Sequence, residues 1–456
     1  MKRTLIRCGW IVTMDASIGD RRDAEILIED DRIRAIGRDL GEADEVIEAG
    51  DMIAMPGLID AHLHTWQTGL RAIGCEWGHG GYFRHIHGGM ATLYGPEDNY
   101  IGTLVGALTR LSGGVTTLLD YCHNITSSEQ AERSVDGLEE SGIRAVYALG
   151  AGKFQPDREA IEPFEQRLHP RERVERLRRR LSGSDRLVTM ALAVGGPHWA
   201  ELEPTRRNIR LARELGLRTT SHATKRPADA VAPDGYRRLI EEGLLGPDHN
   251  IVHGNFLGDE ELKRIIGAGV SVTSTVQTEL RGYASPPLVS RVRALGALPS
   301  LGVDVEPRVS GEMFREMHVA LLYALNEAQR DNAFADGAPF SVAPIRSREA
   351  LSWATIGGAE AIGLGHAVGS LTPGKKADIV LLRATDLNVF PVHDPLLTIV
   401  EMANAGNVDT VLVGGTVRKR GGKLTVGDEK LASLRAELSD SVLRVMHKAG
   451  YTQQAS

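Results

Sequence analysis

The feature that most constrains this chain is a long alternation of apolar, strand-like runs with amphipathic, helix-like runs. Helix-like runs such as Ser128–Ser141, Thr205–Leu215 and Asp259–Ala268 separate the strand-like runs. Alternation of this kind is typical of a parallel sheet, and eight strands are the number that a closed (β/α)8 barrel requires. We therefore predict a barrel over about residues 56–366. The eight predicted strands are Met55–Asp60, Gly114–Asp120, Ala145–Ala148, Val188–Val194, Arg218–Ser221, Asn250–His253, Val270–Ser274 and Leu298–Val303.

The two ends of the chain have a different pattern, with short strands joined by tight turns. Asp30-Asp31 separates two strand-like runs near the start, and Gly414-Gly415 separates two near the end, which is a strong hairpin signal. We expect residues 1–55 and 367–425 to join into one small domain, followed by a C-terminal helix within 426–456. The predicted fold class is α/β: a (β/α)8 TIM-type barrel with a small β-sandwich domain built from both chain ends.

Composition excludes several classes of function. The 456 residues are 42% hydrophobic, enough for a large core, and the net charge of -7 gives no basic footprint for nucleic acid. No apolar run approaches the ~18 residues that a membrane span needs, and the N-terminus does not resemble a signal peptide. Three cysteines cannot form a disulfide framework. We expect a cytoplasmic protein that binds neither nucleic acid nor membranes.

Histidines and one aspartate stand at the ends of the predicted strands. His62 and His64 follow the first strand, His222 ends the fifth, His253 ends the sixth and Asp304 ends the last. All strand ends of a barrel meet at one rim, which is the catalytic face, and residues two apart on an extended chain point the same way. The pattern therefore predicts that these five side chains converge.

Such a set suits a metal ion that activates water. Neutral imidazoles with one carboxylate are typical zinc ligands, and an incomplete protein ligand set leaves room for water. Zinc lowers the pKa of bound water to about 7, and a nearby carboxylate or imidazole can take the proton. One zinc ion is the expected cofactor, with Fe²⁺ or another divalent metal as the alternative.

A second His-X-His motif, His85 and His87, lies in the glycine-rich segment Gly78–Gly89. This segment is not a strand end, so its geometry is not fixed in advance. We interpret it as a loop that contacts substrate or covers the site, because loops after barrel strands often do so. It does not match the phosphate-binding pattern GxxxxGK[ST].

These residues together resemble the amidohydrolase superfamily, in particular its aminohydrolase and chlorohydrolase branch. That branch includes triazine hydrolases, guanine and 8-oxoguanine deaminases, and adenosine-type deaminases acting on nucleoside thioethers. Met55–His64 looks like the first-strand motif of the family, and Gly369–Val380 looks like its return into the β domain. The resemblance covers nearly the whole chain. It implies a hydrolase of non-peptide C–N bonds in a small nitrogen heterocycle, amidine or cyclic amide, and a possible homodimer.

The resemblance also implies roles for individual residues. His62, His64, His222 and Asp304 would bind zinc, His253 would contact the attacking water or the tetrahedral centre, and Asp304 would also accept the proton. Gln67 and Arg71 look like the ring-contacting positions of the triazine and oxopurine enzymes, with a loop amide and a surface guanidinium as the structural alternatives. Trp66 would stack on a flat ring or pack in the core. His198 would line the pocket or fix a loop.

Two features bear on the number of metals and on proton transfer. The fourth predicted strand has no lysine to form a carboxylated bridge, and Lys153 follows the third strand, so one metal is favoured over two. Family deaminases usually carry HxxE after the fifth strand, whereas this chain has His222-Ala-Thr-Lys225. A lysine cannot replace that carboxylate unless its pKa is strongly depressed. Lys225 either binds an anionic group of the substrate or points away from the site.

The sequence therefore leaves three functions open. The first is hydrolysis of a C–N bond by metal-activated water. The second is hydrolytic displacement of another leaving group, such as halide. The third is a non-catalytic metal-binding barrel. The presence of every expected ligand residue disfavours it, because buried histidines without a partner carry a desolvation cost.

Overall fold

A computed structural model describes residues 2–151, 163–183, 186–335 and 337–451. The strands of the described residues are β1 Arg3–Ile11, β2 Arg21–Glu29, β3 Arg32–Gly37, β4 Glu45–Pro56, β5 Leu58–Leu63, β6 Val115–Cys122, β7 Arg144–Leu149, β8 Val188–Ala193, β9 Arg218–Ala223, β10 His249–His253, β11 Ser271–Ser274, β12 Ser300–Leu301, β13 Ile379–Arg383, β14 Val408–Val413, β15 Thr416–Arg420 and β16 Lys423–Leu424. The main α-helices are Pro96–Ser112, Ser128–Ser141, Arg171–Arg180, Leu202–Glu214, Gly235–Glu241, Asp259–Gly267, Val276–Gly282, Val289–Ala294, Met313–Phe334, Ser347–Ser352 and Asp428–Lys448. Short α-helical turns cover His79–Tyr82, Gly196–Trp199, Gly358–Ala361 and Pro395–Leu397.

The predicted barrel is confirmed. Strands β5 to β12 pair in chain order, and each neighbouring pair is parallel. The first and last strands meet where Asp304 N–H donates to the carbonyl of His62 (3.0 Å) and His64 N–H donates to the carbonyl of Asp304 (3.1 Å). Gly302 permits this approach, because a Cβ there would lie 2.5 Å from the His62 carbonyl oxygen. The closure therefore brings two predicted metal ligands together.

The two chain ends join into one β domain, as expected, and this domain is built on a mixed sheet. Within the described residues its order is β16-β15-β14-β13-β4-β1-β2-β3, so the C-terminal strands lie on one side of β4 and the other N-terminal strands on its other side. This sheet has an apolar core of its own, which includes Ile26, Ile379 and Leu412. The hairpin at Gly414-Gly415 is present, and the positive φ angles of both glycines (52° and 71°) suit a two-residue hairpin turn. Asp30-Asp31 likewise joins β2 to β3.

The limits of the first and last barrel strands differ from the prediction. The first strand begins at Leu58, because Met55 and Pro56 belong to β4 and pair with β13 in the other sheet. The apolar run is continuous across both sheets, so composition alone does not show where one ends. The last strand is reduced to Ser300–Leu301, and Pro299 before it lacks the N–H that a central strand position would use.

The helices support the barrel from outside. The helix expected at Ser128–Ser141 spans those residues, and the C-terminal helix expected within 426–456 spans Asp428–Lys448. The charged run Arg171–Arg180 is a helix that buries Val174 and Leu177 and exposes three of its six arginines. Among the described residues, no helix is both long and apolar enough to cross a membrane. The domain limits inferred from the sequence stay predictions.

Candidate active site

The five strand-end residues converge at one rim of the barrel. His62 lies in β5, His64 follows it, His222 lies in β9, His253 ends β10 and Asp304 follows β12. Asp304 Oδ1 lies 3.4 Å from His62 Nε2 and 3.3 Å from His64 Nε2, while His62 Nε2 lies 3.2 Å from His222 Nε2. One potential ligand atom from each of His62, His222, His253 and Asp304 lies within 4.8 Å of the others. All five side chains are buried.

The chemistry of these atoms fits a divalent cation. The Nδ1 of His64 lies 2.6 Å from the carbonyl oxygen of Tyr121, so it carries the proton and donates it, which leaves a lone pair on Nε2. Burial lowers the pKa of His62 to about 3, so its imidazole is neutral at pH 7. Neutral Nε2 atoms and a carboxylate oxygen at about 3.3 Å repel one another unless a proton or a cation lies between them. The arrangement therefore suggests a divalent metal.

Two of the converging residues have strained backbones. His253 has a φ angle of +69° and Asp304 has a φ angle of +63°, and residues other than glycine rarely adopt this backbone conformation. Each such residue costs on the order of 1–3 kcal/mol and persists only where the surrounding structure holds it. Both residues lie at the strand ends that carry the site. Their unusual backbone conformation directs their side chains toward the other ligand atoms.

A buried carboxylate stands behind His253. Glu279 Oε1 lies 3.3 Å from His253 Nδ1 and accepts a hydrogen bond from the backbone N–H of Thr275 at 2.8 Å. The Thr275 hydroxyl lies 3.1 Å from the same imidazole nitrogen. A carboxylate in this position fixes the orientation of the imidazole. The sequence analysis missed Glu279, because nothing distinguishes it from other glutamates of helical segments.

The structure places Trp66 behind a further histidine. The indole N–H of Trp66 donates to His123 Nδ1 at 3.2 Å, and the His123 ring stacks on His64 with centroids 3.8 Å apart. Trp66 is fully buried and does not line the cavity at the site. In this arrangement it supports His123 and, through it, His64. Stacking of Trp66 on a substrate ring stays a prediction.

Gln67 and Arg71 are not brought into the cavity either. Gln67 is fully buried and its amide hydrogen-bonds with the hydroxyl of Tyr82, with Nε2 2.9 Å from that oxygen. Arg71, with 43% of its side chain exposed, contacts Glu306 (3.2 Å) and Thr109 (2.9 Å) at a separate groove of about 920 Å³. Substrate contacts by Gln67 and Arg71 therefore stay predictions.

Lys225 and His198 lie beside each other outside the cavity. The backbone N–H of Lys225 donates to His198 Nδ1 at 3.2 Å, and burial together with the Lys225 charge lowers the pKa of His198 to about 4. The Lys225 ammonium lies 4.5 Å from the ring centre of Trp199, a cation–π contact. Of this segment, Thr224 reaches the cavity that the metal ligands line. The ammonium therefore contacts an aromatic face rather than the ligand cluster.

The cavity above the cluster is small and covered by the glycine-rich segment. Its volume is about 30 Å³, close to what one water molecule occupies in the liquid. Tyr82, Phe83 and His87 of that segment line it, together with Tyr283 and Arg308. These lining residues escaped the sequence analysis, except for His87, because their positions depend on loop folding.

The second His-X-His motif does not form a ligand pair. Phe83–His87 is a helical turn, and its two imidazoles have different neighbours. The ring centroid of His87 lies 4.7 Å from that of His123, whereas His85 lies 4.7 Å from Trp77. Neither belongs to the potential metal group found within the described part of the chain. Lys153 lies outside the described residues.

Comparisons with known proteins agree with this architecture. The amidohydrolase family model matches residues 53–418. The 5-methylthioadenosine/S-adenosylhomocysteine deaminase of Pyrococcus furiosus is 27% identical, over 94% of this chain and 98% of the relative. The 5'-deoxyadenosine deaminase of Methanothermobacter thermautotrophicus is also 27% identical, over 93% and 96%.

Two solved structures have the same fold. An adenosine deaminase from Xanthomonas campestris with bound zinc has a TM-score of 0.84 at 23% identity, covering 97% of this chain and 98% of its own. The atrazine chlorohydrolase of Arthrobacter aurescens, complexed with zinc, has a TM-score of 0.80 at 22% identity, covering 95% and 100%.

The family match extends over most of the chain and includes the strands that carry His62, His64, His222 and Asp304. It confirms the resemblance inferred from the sequence motifs. The protein is a hydrolase acting on carbon–nitrogen bonds other than peptide bonds. The chain therefore belongs to the amidohydrolase family.

Proposed function

We propose that this protein is a deaminase that uses one zinc ion, held by His62, His64, His222 and Asp304, to hydrolyse a C–N bond of a nitrogen heterocycle. The observation that carries the proposal is the convergence of three Nε2 atoms and one carboxylate oxygen. Each of these atoms lies about 3.3 Å from at least one of the others. These four protein ligands leave a fifth coordination position, which catalytic zinc can use, for water. The deaminase relatives support an amino-substituted heterocycle as substrate.

When bound, the cation supplies Lewis-acid chemistry that lowers the pKa of a water molecule to about 7. The Asp304 carboxylate accepts the proton of this water as its oxygen adds to the sp2 carbon of the substrate. His253 donates a hydrogen bond to the oxygen that gains charge, and Glu279 orients it, with 3.3 Å between the two side chains. The C–N bond then breaks, and the amino group leaves as ammonia with the proton that Asp304 returns. The remaining hydroxyl proton moves to the neighbouring ring nitrogen, so that the product carries a carbonyl group.

Proton delivery to the leaving nitrogen is assigned to Asp304 rather than to residue 225. The family's glutamate is replaced by Lys225, whose ammonium lies against Trp199. Asp304 lies next to both His62 and His64 and accepts a proton earlier in the same reaction. A single carboxylate that takes and returns one proton keeps the reaction balanced.

Substrate entry requires the glycine-rich segment to move. A cavity of about 30 Å³ cannot hold a heterocycle, and Tyr82, Phe83 and His87 close it. We propose that the segment from Gly78 to Leu93 lifts to admit substrate and closes to exclude water. This movement extends the expectation that the segment covers the site.

The expected homodimer and cytoplasmic location stay predictions. Light scattering on the purified protein tests whether it is a homodimer.

The decisive experiment combines metal analysis with product detection. The purified protein should contain one zinc per chain and release ammonia from a member of a panel of aminated purines, pyrimidines and triazines. Halide release from chlorinated rings of the same panel without ammonia release would instead indicate the displacement reaction. Protein without stoichiometric divalent metal, and unaffected by His62→Ala, would contradict the proposal.

A further inference from the structure

We infer that Arg308 binds an anionic group of the substrate, so that the natural substrate is a carboxylate-bearing heterocycle. The inference rests on the proposed function for the position of the reacting C–N bond. Arg308 lines the cavity above the metal cluster, together with His64, His222, His253 and Asp304. It is only 2% exposed, so its guanidinium is removed from bulk water.

Arg308 differs from the other buried arginines in having no carboxylate partner. The guanidinium of Arg110 lies 2.9 Å from Glu306 and 3.7 Å from Asp60, and that of Arg144 lies 2.9 Å from Asp378. No carboxylate of the described residues lies within 4.0 Å of the Arg308 guanidinium. A buried cation without a counter-charge is costly, and an anionic ligand would neutralise it.

The hydrogen-bonding capacity of Arg308 is also largely unused. Among the described residues, the carbonyl of Trp77 is the acceptor for its guanidinium, at 3.2 Å, and Nε is buried without a partner. A guanidinium has five N–H donors in a planar fork that matches a carboxylate. A purely structural arginine would direct more of these donors to protein acceptors.

Neighbouring groups hold the Arg308 guanidinium in a fixed position. It lies against Gly282, where a Cβ would come within 2.9 Å of Nη1 and 3.2 Å of Nη2. Its Cζ also lies 6.0 Å from the ring centre of Tyr82, which lines the cavity as well. Asp304 is the acidic side chain lining this cavity in the part of the chain described, and it is committed to the metal ligands. A substrate carboxylate would therefore meet one cation that is fixed and unneutralised.

The test measures binding of two non-hydrolysable probes with the same ring, nicotinate and pyridine-3-methanol, to the zinc-loaded protein by calorimetry. Because the rings match, the cost of moving the covering segment cancels in the comparison. Wild-type protein should bind nicotinate about 10- to 100-fold more tightly, the range expected for charge-assisted hydrogen bonds. Arg308→Met should abolish this preference, Arg308→Lys should retain part of it, and Gly282→Ala should weaken it by displacing the guanidinium.

Arg281→Met is the matched control, because Arg281 is an exposed neighbour that lines the outer groove and not the metal cavity. It should leave the preference unchanged. Nicotinate bound directly by the metal would keep its preference in Arg308→Met, and that result overturns the inference. Equal affinity of the two probes for wild-type protein, or binding of neither at millimolar concentration, overturns it as well. Metal content and ammonia release, measured on the same samples, report separately on the proposed function.

Discussion

The two His-X-His motifs of this chain have the same spacing but lie in different local structures. His62 and His64 stand at the end of β5, where alternate residues point to the same side, and both Nε2 atoms lie within 3.4 Å of Asp304. His85 and His87 stand in a helical turn, where residues two apart point in different directions, and their rings contact Trp77 and His123 respectively. The comparison shows that the backbone under a motif, and not its spacing, decides whether two imidazoles can share an ion.

The largest effect expected from this contrast is on metal binding and turnover. His62→Ala removes a ligand and should lower kcat/KM by more than about 1000-fold, since it removes several kcal/mol of transition-state stabilisation. His85→Ala should keep its metal and most of its activity. Metal content by mass spectrometry and initial rates check both variants. Equal loss of metal and activity in the two variants would contradict the distinction between the two motifs.

A smaller effect is expected at the carboxylate that supports another strand-end histidine. Glu279→Gln leaves His253 in place but weakens its orientation, so metal affinity or activity should fall by about 10- to 100-fold. Glu260→Gln, at an exposed glutamate of the preceding helix, is the control and should match wild type. Steady-state kinetics and zinc titration make the measurement. Unchanged kinetics in Glu279→Gln would mean that His253 needs no partner.

The contact between β5 and the segment after β12, which closes the barrel, can also be disturbed without replacing a histidine. Gly302→Ala places a Cβ against the His62 carbonyl and should reduce the free energy of unfolding by about 1–3 kcal/mol, with weaker metal binding. Gly267→Ala, at a helix position with no atom within 4 Å, is the matched control. Denaturant unfolding and zinc titration report the two effects. Wild-type stability of Gly302→Ala would contradict the close approach at barrel closure.

The smallest effect is expected at Lys225, three residues beyond the strand histidine His222. Lys225→Met loses a cation–π contact worth about 0.5–1 kcal/mol of folding stability, but turnover should stay close to wild type. Lys225→Glu should likewise keep turnover, and exposed Lys263→Met is the control. A large loss of turnover in Lys225→Met at unchanged stability would place the ammonium in the reaction.

Sequence patterns predicted what depends on the backbone of regular elements. His62, His64, His222, His253 and Asp304 were found because a parallel barrel sends every strand end to one rim. The eight strands and both hairpins followed from periodicity and turn residues.

The parts that the sequence left open or missed depend on where loop side chains point. The sequence left Trp66 between a substrate ring and the core, and in the structure its indole hydrogen-bonds to His123, whereas Arg71 pairs with Glu306 at the outer groove. Substrate contacts by these two residues stay predictions. Glu279 and Arg308 reach the site from segments after β11 and β12, and no periodic pattern gives their direction. Met55 and Pro56 were assigned to the wrong sheet, because an apolar run looks the same in either.

The most direct measurement is anomalous diffraction at the zinc edge from crystals of the metal-loaded protein. The account predicts one peak within about 2.0–2.2 Å of the Nε2 atoms of His62, His64 and His222 and of an Asp304 oxygen. A peak at His85 and His87 instead, or no peak among the four strand-end residues, would contradict it.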